Sequence, residues 1–386
     1  MAAGTGSANA NVKTLLFANT AWYLYNFRLS LAEALRSQGH EVVLISPADD
    51  NAQKLSAAGF RWIEFPFSRK GQNPFQELIT IRNLARIYQA EKPDFVHHFT
   101  VKCVVYGSLA AKWSGVPRII NAITGLGYVF IGNNVAQKLL RPVILLLYKI
   151  SLRRTQVIFQ NQDDLNQFKE MHLINAGQVS IIRGSGVDVQ KFMVTPLPEG
   201  CQVVVLPARM LWDKGVGEFV AAARVLIAEG VDARFVLAGD TDEHNPAAIP
   251  PATLDQWQKE GVVEWIGWQS DMPAVYASAN IVCLPSYREG LPKTLIEAAA
   301  CGRPLVAVDV PGCREVVIPL ETGLLATVRD VPSLVDCLRS LLSDREGQHR
   351  MGANARHLVE NEFSTTRIVA ETLSVYSKLQ GDGKTK

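Results

Sequence analysis

Two glutamates separated by seven residues stand in Tyr287-Arg-Glu-Gly-Leu-Pro-Lys-Thr-Leu-Ile-Glu297, Glu289 ahead of an apparent helix start and Glu297 inside it. A pair of carboxylates can act as general acid and base in hydrolysis, or each can accept hydrogen bonds from ligand hydroxyls. The surrounding pattern bears on the choice. Ile281-Val-Cys-Leu284 reads as a strand ending near Pro285, and Ser286 to Leu291 as a loop with Gly290 at its turn. Pro292 suits the first helical position, where a missing N–H costs nothing. The helix then runs to Ala300, with Gly302 as its C′ residue. Glu289 therefore projects from the carboxyl end of a strand. Gly290 lets backbone approach a ligand closely, and the helix start offers free N–H groups to an anion. Glu297, nearly two turns further, suits hydroxyls such as a ribose diol. Either glutamate alone would read as an ordinary solvated side chain.

A second set lies in Pro207-Ala-Arg-Met-Leu-Trp-Asp-Lys-Gly-Val216, after the apolar Val203-Val-Val-Leu206. Arg209 and Lys214 fall on the same kind of rim. A guanidinium fork and an ammonium point charge together suit a diphosphate.

The elements that must position these residues alternate along the whole chain. Continuous apolar strands are predicted at Val12–Ala18, Glu41–Ser46, Trp62–Phe65, Asp94–His98 and Arg118–Asn121, with helices at Tyr25–Leu35, Phe75–Glu91 and Val104–Trp113. Strands that are apolar throughout indicate parallel sheets covered on both faces. The alternation breaks at Gly184–Gly200 and restarts with strands at 203–206, 234–238, 263–266, 281–284 and 305–308. The fold class is α/β, with two Rossmann-like domains at 1–190 and 191–365 facing across a cleft. A terminal helix within 366–386 returns to the first domain. Ligands of such sheets bind beyond the carboxyl ends of the strands. Neither first turn carries G-x-G-x-x-G, which weakens a dehydrogenase reading.

The 386 residues have a net charge of only +2, unevenly spread. Residues 1–186 hold 20 Lys+Arg against 11 Asp+Glu (+9), and the rest hold 19 against 26 (−7). No acid occurs between Asp94 and Asp163, where Lys102, Lys112, Arg118, Lys138, Arg141, Lys149, Arg153 and Arg154 all lie. The first half is built to meet something anionic: nucleic acid, anionic lipid or a diphosphate. The run Gln137–Arg154 can align Leu139, Leu140, Val143, Leu146, Leu147 and Ile150 on one helix face. It is too short for the about 20 apolar residues of a spanning helix, but suits an anionic bilayer surface. A core helix with solvated ends would look similar. The six cysteines are scattered without a CxxC pair, so no zinc site or disulfide framework is indicated. Their apolar neighbours read as buried, reduced thiols. The first ten residues have neither the basic nor the apolar region of a signal peptide and read as a flexible leader.

Arg209-x4-Lys214-Gly215, Asp271 in Gly267-Trp-Gln-Ser-Asp, and Glu289-x7-Glu297 in its Pro285-Ser-x-x-Glu-Gly context resemble the retaining glycosyltransferase family 4 of two-Rossmann-domain (GT-B) type. The resemblance spans nearly the whole chain. It implies that Arg209 and Lys214 bind the donor diphosphate, that Glu289 and the amides of Gly290 and Leu291 hold the transferred sugar, and that Glu297 binds the ribose. It also implies a metal-independent, cofactor-free reaction on a nucleoside-diphosphate sugar, with UDP the expected nucleotide. His97-His-Phe-Thr-Val-Lys102 and Asn121–Tyr128 are similar to bacterial enzymes that extend undecaprenyl-diphosphate-linked sugars, such as α-1,3-N-acetylgalactosaminyltransferases. On that resemblance Arg28, Lys102 and Arg118 meet the acceptor diphosphate and His98 contacts the donor sugar. The enzyme then sits peripherally on the cytoplasmic side of the inner membrane, docked through about residues 137–154. A nucleotide-sugar epimerase of the same fold is the rival enzyme reading. A nucleic-acid-binding protein using residues 95–162 ranks below it, because no reader motif occurs there.

Overall fold

The computed structural model describes residues 12–67, 74–125, 135–242 and 245–381, with side chains at all of these except 74, 135–140 and 176. The leader at 1–10, the 126–128 end of the Asn121–Tyr128 motif and the side chains of Lys138, Leu139 and Leu140 lie outside these residues. The chain divides into two compact units, 1–182 with 369–386, and 183–368. The division falls at Ile182, a few residues before the 190 read from the Pro- and Gly-bearing segment.

The first unit runs β1 (Lys13–Phe17), α1 (Ala21–Tyr23), a π-helical turn (Leu24–Arg28), α2 (Leu29–Ser37), β2 (Glu41–Ser46), α3 (Ala52–Ala57), β3 (Arg61–Glu64), α4 (Pro74–Glu91), β4 (Phe95–Phe99), α5 (Val101–Trp113), β5 (Arg118–Ile123), α6 (Val135–Leu152), β6 (Gln156–Phe159), α7 (Gln162–Glu170) and β7 (Val179–Ile181). All strands pair in parallel, in the order β3-β2-β1-β4-β5-β6-β7. The order reverses between β1 and β4, which makes that gap the topological switch point. Leu15, Phe17, Val43, Ile45 and Val96 pack beneath Leu84 and Tyr88 of α4, and Val157 and Phe159 beneath Tyr148 and Phe168.

The second unit runs β8 (Gln202–Pro207), α8 (Val216–Ala228), β9 (Ala233–Ala238), α9 (Pro251–Lys259), β10 (Glu264–Trp265), α10 (Met272–Ala277), β11 (Ile281–Leu284), α11 (Lys293–Ala300), β12 (Leu305–Val308), β13 (Gly323–Ala326), α12 (Val331–Ser343) and α13 (Arg345–Glu362). Its parallel order, β10-β9-β8-β11-β12-β13, places the switch point between β8 and β11. Val203 to Leu206, Ile281 to Leu284 and Leu305 to Val308 are buried throughout, as a doubly covered sheet demands. The last helix, α14 (Thr365–Gly381), begins in this unit, and its residues from Val369 belong to the first. There Tyr376 packs against Phe95 and His97 of β4.

Candidate functional site

At the switch point of the second sheet, the loops after β8 and β11 are locked together. Gly215, in the left-handed region at φ +73°, closes the 3₁₀ turn Trp212–Lys214. A Cβ there would lie 2.1 Å from the Pro285 carbonyl oxygen at the end of β11, so only glycine permits the approach. Tyr287 N–H donates to the Asp213 carbonyl at 2.9 Å, Ser286 Oγ to the same oxygen at 3.3 Å, and Tyr287 OH to Glu218 at 2.5 Å. The Arg329 guanidinium lies 4.4 Å above the Tyr287 ring.

This clamp sets the contact between the two sequence motifs. Lys214 Nζ donates to Glu289 Oε1 at 2.5 Å, and both side chains are mostly buried. The turn itself is backed by Gly312, where a Cβ would lie 2.6 Å from the Gly290 carbonyl and 2.8 Å from that of Glu289. Arg209 donates to Asp242 Oδ2 at 2.8 Å on the exposed rim beyond β9. Both cations therefore already carry carboxylate partners, which an incoming anion must displace or share.

Glu297 faces inward from α11, with 9% of its surface exposed. The Tyr276 hydroxyl of α10 donates to its Oε2 at 3.1 Å, and Lys293 lies 3.9 Å from its Oε1. Burial raises its pKa, against the lowering effects of Lys293 and Tyr276. A buried carboxylate so sparsely bonded favours added hydroxyl donors. Pro292 is the N-cap of α11 rather than its first helical residue. The structure thus groups Lys214, Glu289, Gly290 and Leu291 at one loop, with Glu297 two turns along the adjoining helix and Arg209 on the next rim.

The first unit places each of the sequence-predicted residues His98, Arg118 and Lys102 against partners of its own. His98 is not available to a ligand. It is fully buried on the α4 side of the sheet, with Nδ1 2.8 Å from Asn121 Oδ1 and Nε2 3.1 Å from the Tyr88 hydroxyl. Asn121 Oδ1 also accepts from Ser108, and Asn121 Nδ2 donates to Thr155, so the network is complete. Burial takes the His98 pKa down to about 4, and the ring stays neutral. Gly107 completes the fit, since a Cβ there would lie 2.4 Å from the imidazole.

Arg118 opens β5 and so sits at the amino edge of the sheet, opposite the ligand edge. Its Nε donates to the Leu379 carbonyl of α14 at 2.9 Å, and its guanidinium lies 5.1 Å over Phe95. Lys102 pairs with Glu77 of α4 at 2.8 Å. Lys112 donates to the Ile150 and Ser151 carbonyls at the end of α6. Part of the basic excess is therefore structural. Arg141, Lys149, Arg153 and Arg154 remain exposed on and after α6.

Arg28 does reach the carboxyl edge. Its side chain lies over the face of Phe99, the last residue of β4, at 4.4 Å, and donates to Tyr23 OH at 2.8 Å. The residue that joins it is His97, not His98. Strand alternation puts Phe95, His97 and Phe99 on the face opposite His98. The His97 ring lies 4.1 Å from that of Phe99, and its Nδ1 is 3.0 Å from Tyr376 OH. Two adjacent histidines gave no sequence signal for which packs beside Phe99 and Arg28.

Among the described residues no group of three His, Cys, Asp or Glu converges as a metal-ligand set, and no helix is long and apolar enough to cross a membrane.

Residues 190–358 match the family described as "Glycosyl transferases group 1", and residues 13–162 "Glycosyl transferase 4-like". The N,N'-diacetylbacillosaminyl-diphospho-undecaprenol α-1,3-N-acetylgalactosaminyltransferase of Campylobacter jejuni is 32% identical over 346 residues, 86% of this chain and 90% of that one. The UDP-Gal:α-D-GlcNAc-diphosphoundecaprenol α-1,3-galactosyltransferase of Escherichia coli is 23% identical, over 78% of this chain and 79% of that one. Among solved structures, sucrose-phosphate synthase from Thermosynechococcus elongatus superposes with a TM-score of 0.80 at 21% identity, over 96% and 100% of the two chains. Anabaena HepE in complex with UDP and glucose gives 0.75 at 18%, over 95% and 100%. The fold is that of the GT-B glycosyltransferases, and the chain belongs to the group 1, type-4-like glycosyltransferase family.

Proposed function

We propose that this glycosyltransferase moves an N-acetylhexosamine, such as N-acetylgalactosamine, from a UDP-sugar onto an undecaprenyl-diphosphate-linked sugar, with retention and without a metal, in the assembly of a bacterial surface or glycoprotein glycan. One observation carries the reading: the Lys214–Glu289 contact at the switch point of the second sheet, 2.5 Å long and held by the Gly215–Pro285 approach. It puts a cation for phosphate beside a carboxylate for sugar hydroxyls. Arg209 supplies a second cation and Glu297 a buried acceptor for the ribose. The lipid-linked sugar acceptor is supported by the names of the Campylobacter and E. coli relatives, and UDP by the latter.

In this reading Arg209 and Lys214 stabilise negative charge as the bond from the sugar's C1 to the phosphate oxygen breaks. The acceptor hydroxyl attacks on the same face and passes its proton to that phosphate oxygen, so no protein nucleophile is required. Glu289 and the Gly290 and Leu291 amides fix the sugar, which makes positioning and electrostatics the main catalytic terms.

Membrane docking, peripheral and on the cytoplasmic side of the inner membrane, belongs to the same proposal. On α6, Val143, Leu146 and Ile150 are about half exposed at helical spacing, beside Arg141, Lys149, Arg153 and Arg154. Leu147 instead turns toward the core with Ile144 and Leu145. The first turns of α4 add a patch that periodicity alone did not single out: Phe75, Leu78 and Ile79, exposed at 80%, 58% and 57%, with Arg82 and Arg86 beyond. Both helices pack against α5.

The test mixes purified enzyme, UDP-N-acetylhexosamines and a farnesyl-diphosphate-linked N-acetylhexosamine, read by mass spectrometry. A product one sugar heavier supports the reading. Conversion of the donor without acceptor, followed by chromatography because epimers share one mass, would instead mark an epimerase and overturn it.

A further inference from the structure

The sheet of the first unit has its own switch point, between β1 and β4, and an unbalanced charge is buried there. Arg28 is 7% exposed, and its described partners are the Tyr23 hydroxyl and the rings of Tyr23 and Phe99. Among the described residues no carboxylate pairs with it, and its buried Nε has no hydrogen-bond partner. A guanidinium taken out of water without a counter-charge costs several kcal/mol. A protein that gained nothing from it would be more stable with an apolar residue there.

The atoms around it share one character. The Tyr376 hydroxyl lies 3.0 Å from His97 Nδ1 and can donate to it or accept from it. A phosphate oxygen at Nε2 selects the tautomer in which Tyr376 donates to Nδ1 and the proton sits on Nε2. That Nε2 is buried with no partner, and the buried Thr100 Oγ1 has only the weakly accepting Cys103 thiol beside it. Desolvation holds His97 well below the usual imidazole range, and the Arg28 charge adds to this. His97 is therefore neutral beside a permanent cation, and in the Nε2–H tautomer its buried nitrogen is a donor. Thr100, at φ +72°, is a strained residue with no side-chain cap bond to α5, and the N-terminus of that 13-residue helix follows directly. Residues pinned in that region concentrate at ligand sites. The π-helical turn Leu24–Arg28 that carries the arginine is a further irregularity of the kind found at functional sites.

We infer that Arg28, His97, Thr100 and the N-terminus of α5 form a built site for a diphosphate group, separate in the chain from the Arg209–Lys214 loop of the second unit. Its ligand, the acceptor's diphosphate, rests on the proposed function above. The site itself rests on the buried donors and the unpaired charge. A buried arginine, an imidazole N–H, a hydroxyl and helix amides at a switch point suit phosphate oxygens.

The experiment measures binding of farnesyl diphosphate, inorganic pyrophosphate and UDP to the full chain and to Arg28→Met and His97→Gln, by calorimetry, with melting curves for each. Arg28→Met is expected to melt higher than the parent, because it removes a buried uncompensated charge. It should bind farnesyl diphosphate at least about 30-fold more weakly, the loss of one charge-assisted contact, with UDP affinity changed less than about twofold. His97→Gln should weaken farnesyl diphosphate by about tenfold without altering UDP. Farnesyl diphosphate binding well above pyrophosphate assigns the site to a lipid ester, and equal binding assigns it to the diphosphate alone. Unchanged farnesyl diphosphate binding in both folded variants, or UDP weakened in parallel, overturns the inference. Transfer by the parent enzyme would stand in either case, so the two readings fail separately.

Discussion

Replacing Glu289 with glutamine should tighten nucleotide binding while it abolishes most turnover. The side chain keeps its shape and loses its charge. In the free protein the Glu289 carboxylate lies 2.5 Å from Lys214 Nζ, with side-chain exposures of 14% and 21%. A charge-assisted hydrogen bond of this kind contributes about 1.5–3 kcal/mol, and partial exposure brings that to about 1 kcal/mol. A diphosphate that recruits Lys214 must compete with this contact and approach a like charge. Removing the carboxylate lifts both costs, so the UDP dissociation constant should fall about fivefold, the equivalent of about 1 kcal/mol. The gain should shrink as salt rises. Turnover of the UDP-sugar should fall about 100-fold, because the amide keeps only one acceptor oxygen, puts an NH2 donor in place of the other, and loses the charge that strengthens hydrogen bonds from the sugar hydroxyls. Calorimetry with UDP and steady-state kinetics on the same preparation measure the two effects. If UDP binding weakened in step with turnover, Glu289 would be a nucleotide ligand or a structural residue, and the competition argument would be wrong.

Glu297→Ala should act in the opposite sense, weakening UDP by about tenfold or more with a smaller change in turnover at saturation. Gly215→Ala adds left-handed strain of about 1–2 kcal/mol to a Cβ 2.1 Å from the Pro285 oxygen. Melting should drop by at least about 5 °C with loss of UDP affinity, whereas Gly230→Ala, at φ +81° with open space around it, pays the strain alone and keeps UDP binding. Acid should destabilise the first unit through His98. Its folded pKa of about 4 lies below the unfolded value, so the unfolded chain takes up the proton first. Stability is full above about pH 6.5 and falls toward pH 4 by about 3 kcal/mol, and denaturant titrations of His98→Gln should show a shallower fall. Reversing Arg141, Lys149, Arg153 and Arg154 to Glu should remove sedimentation with anionic liposomes. Retained sedimentation would end the electrostatic docking account.

The second unit was legible because its signals are local. Buried parallel strands are apolar throughout, and the residues of each loop are contiguous, so Arg209 with Lys214 and Glu289 with Glu297 stand out without knowledge of the fold. Their contact was not legible, since it depends on Gly215 meeting Pro285, 70 residues away in the chain. The first unit is built from long-range pairs. His97 finds its partner Tyr376 279 residues later, and Lys102 finds Glu77 on a different helix. Nothing near either residue announces this. Arg118 is different, because its place at the start of a strand already put it on the edge away from the ligand side. The π-helical turn that brings Arg28 inward has no pattern of its own, as its five residues continue the helical spacing on either side.

The central claim is transfer with retention to a lipid-diphosphate sugar, and the anomeric configuration of the product tests it most directly. A UDP-α-N-acetylhexosamine and a farnesyl-diphosphate-linked acceptor should give a single added residue whose anomeric proton shows the small coupling of an α-linkage by NMR. A β-linked product would contradict retention, and no acceptor-dependent product from any UDP-sugar would contradict the proposed reaction itself.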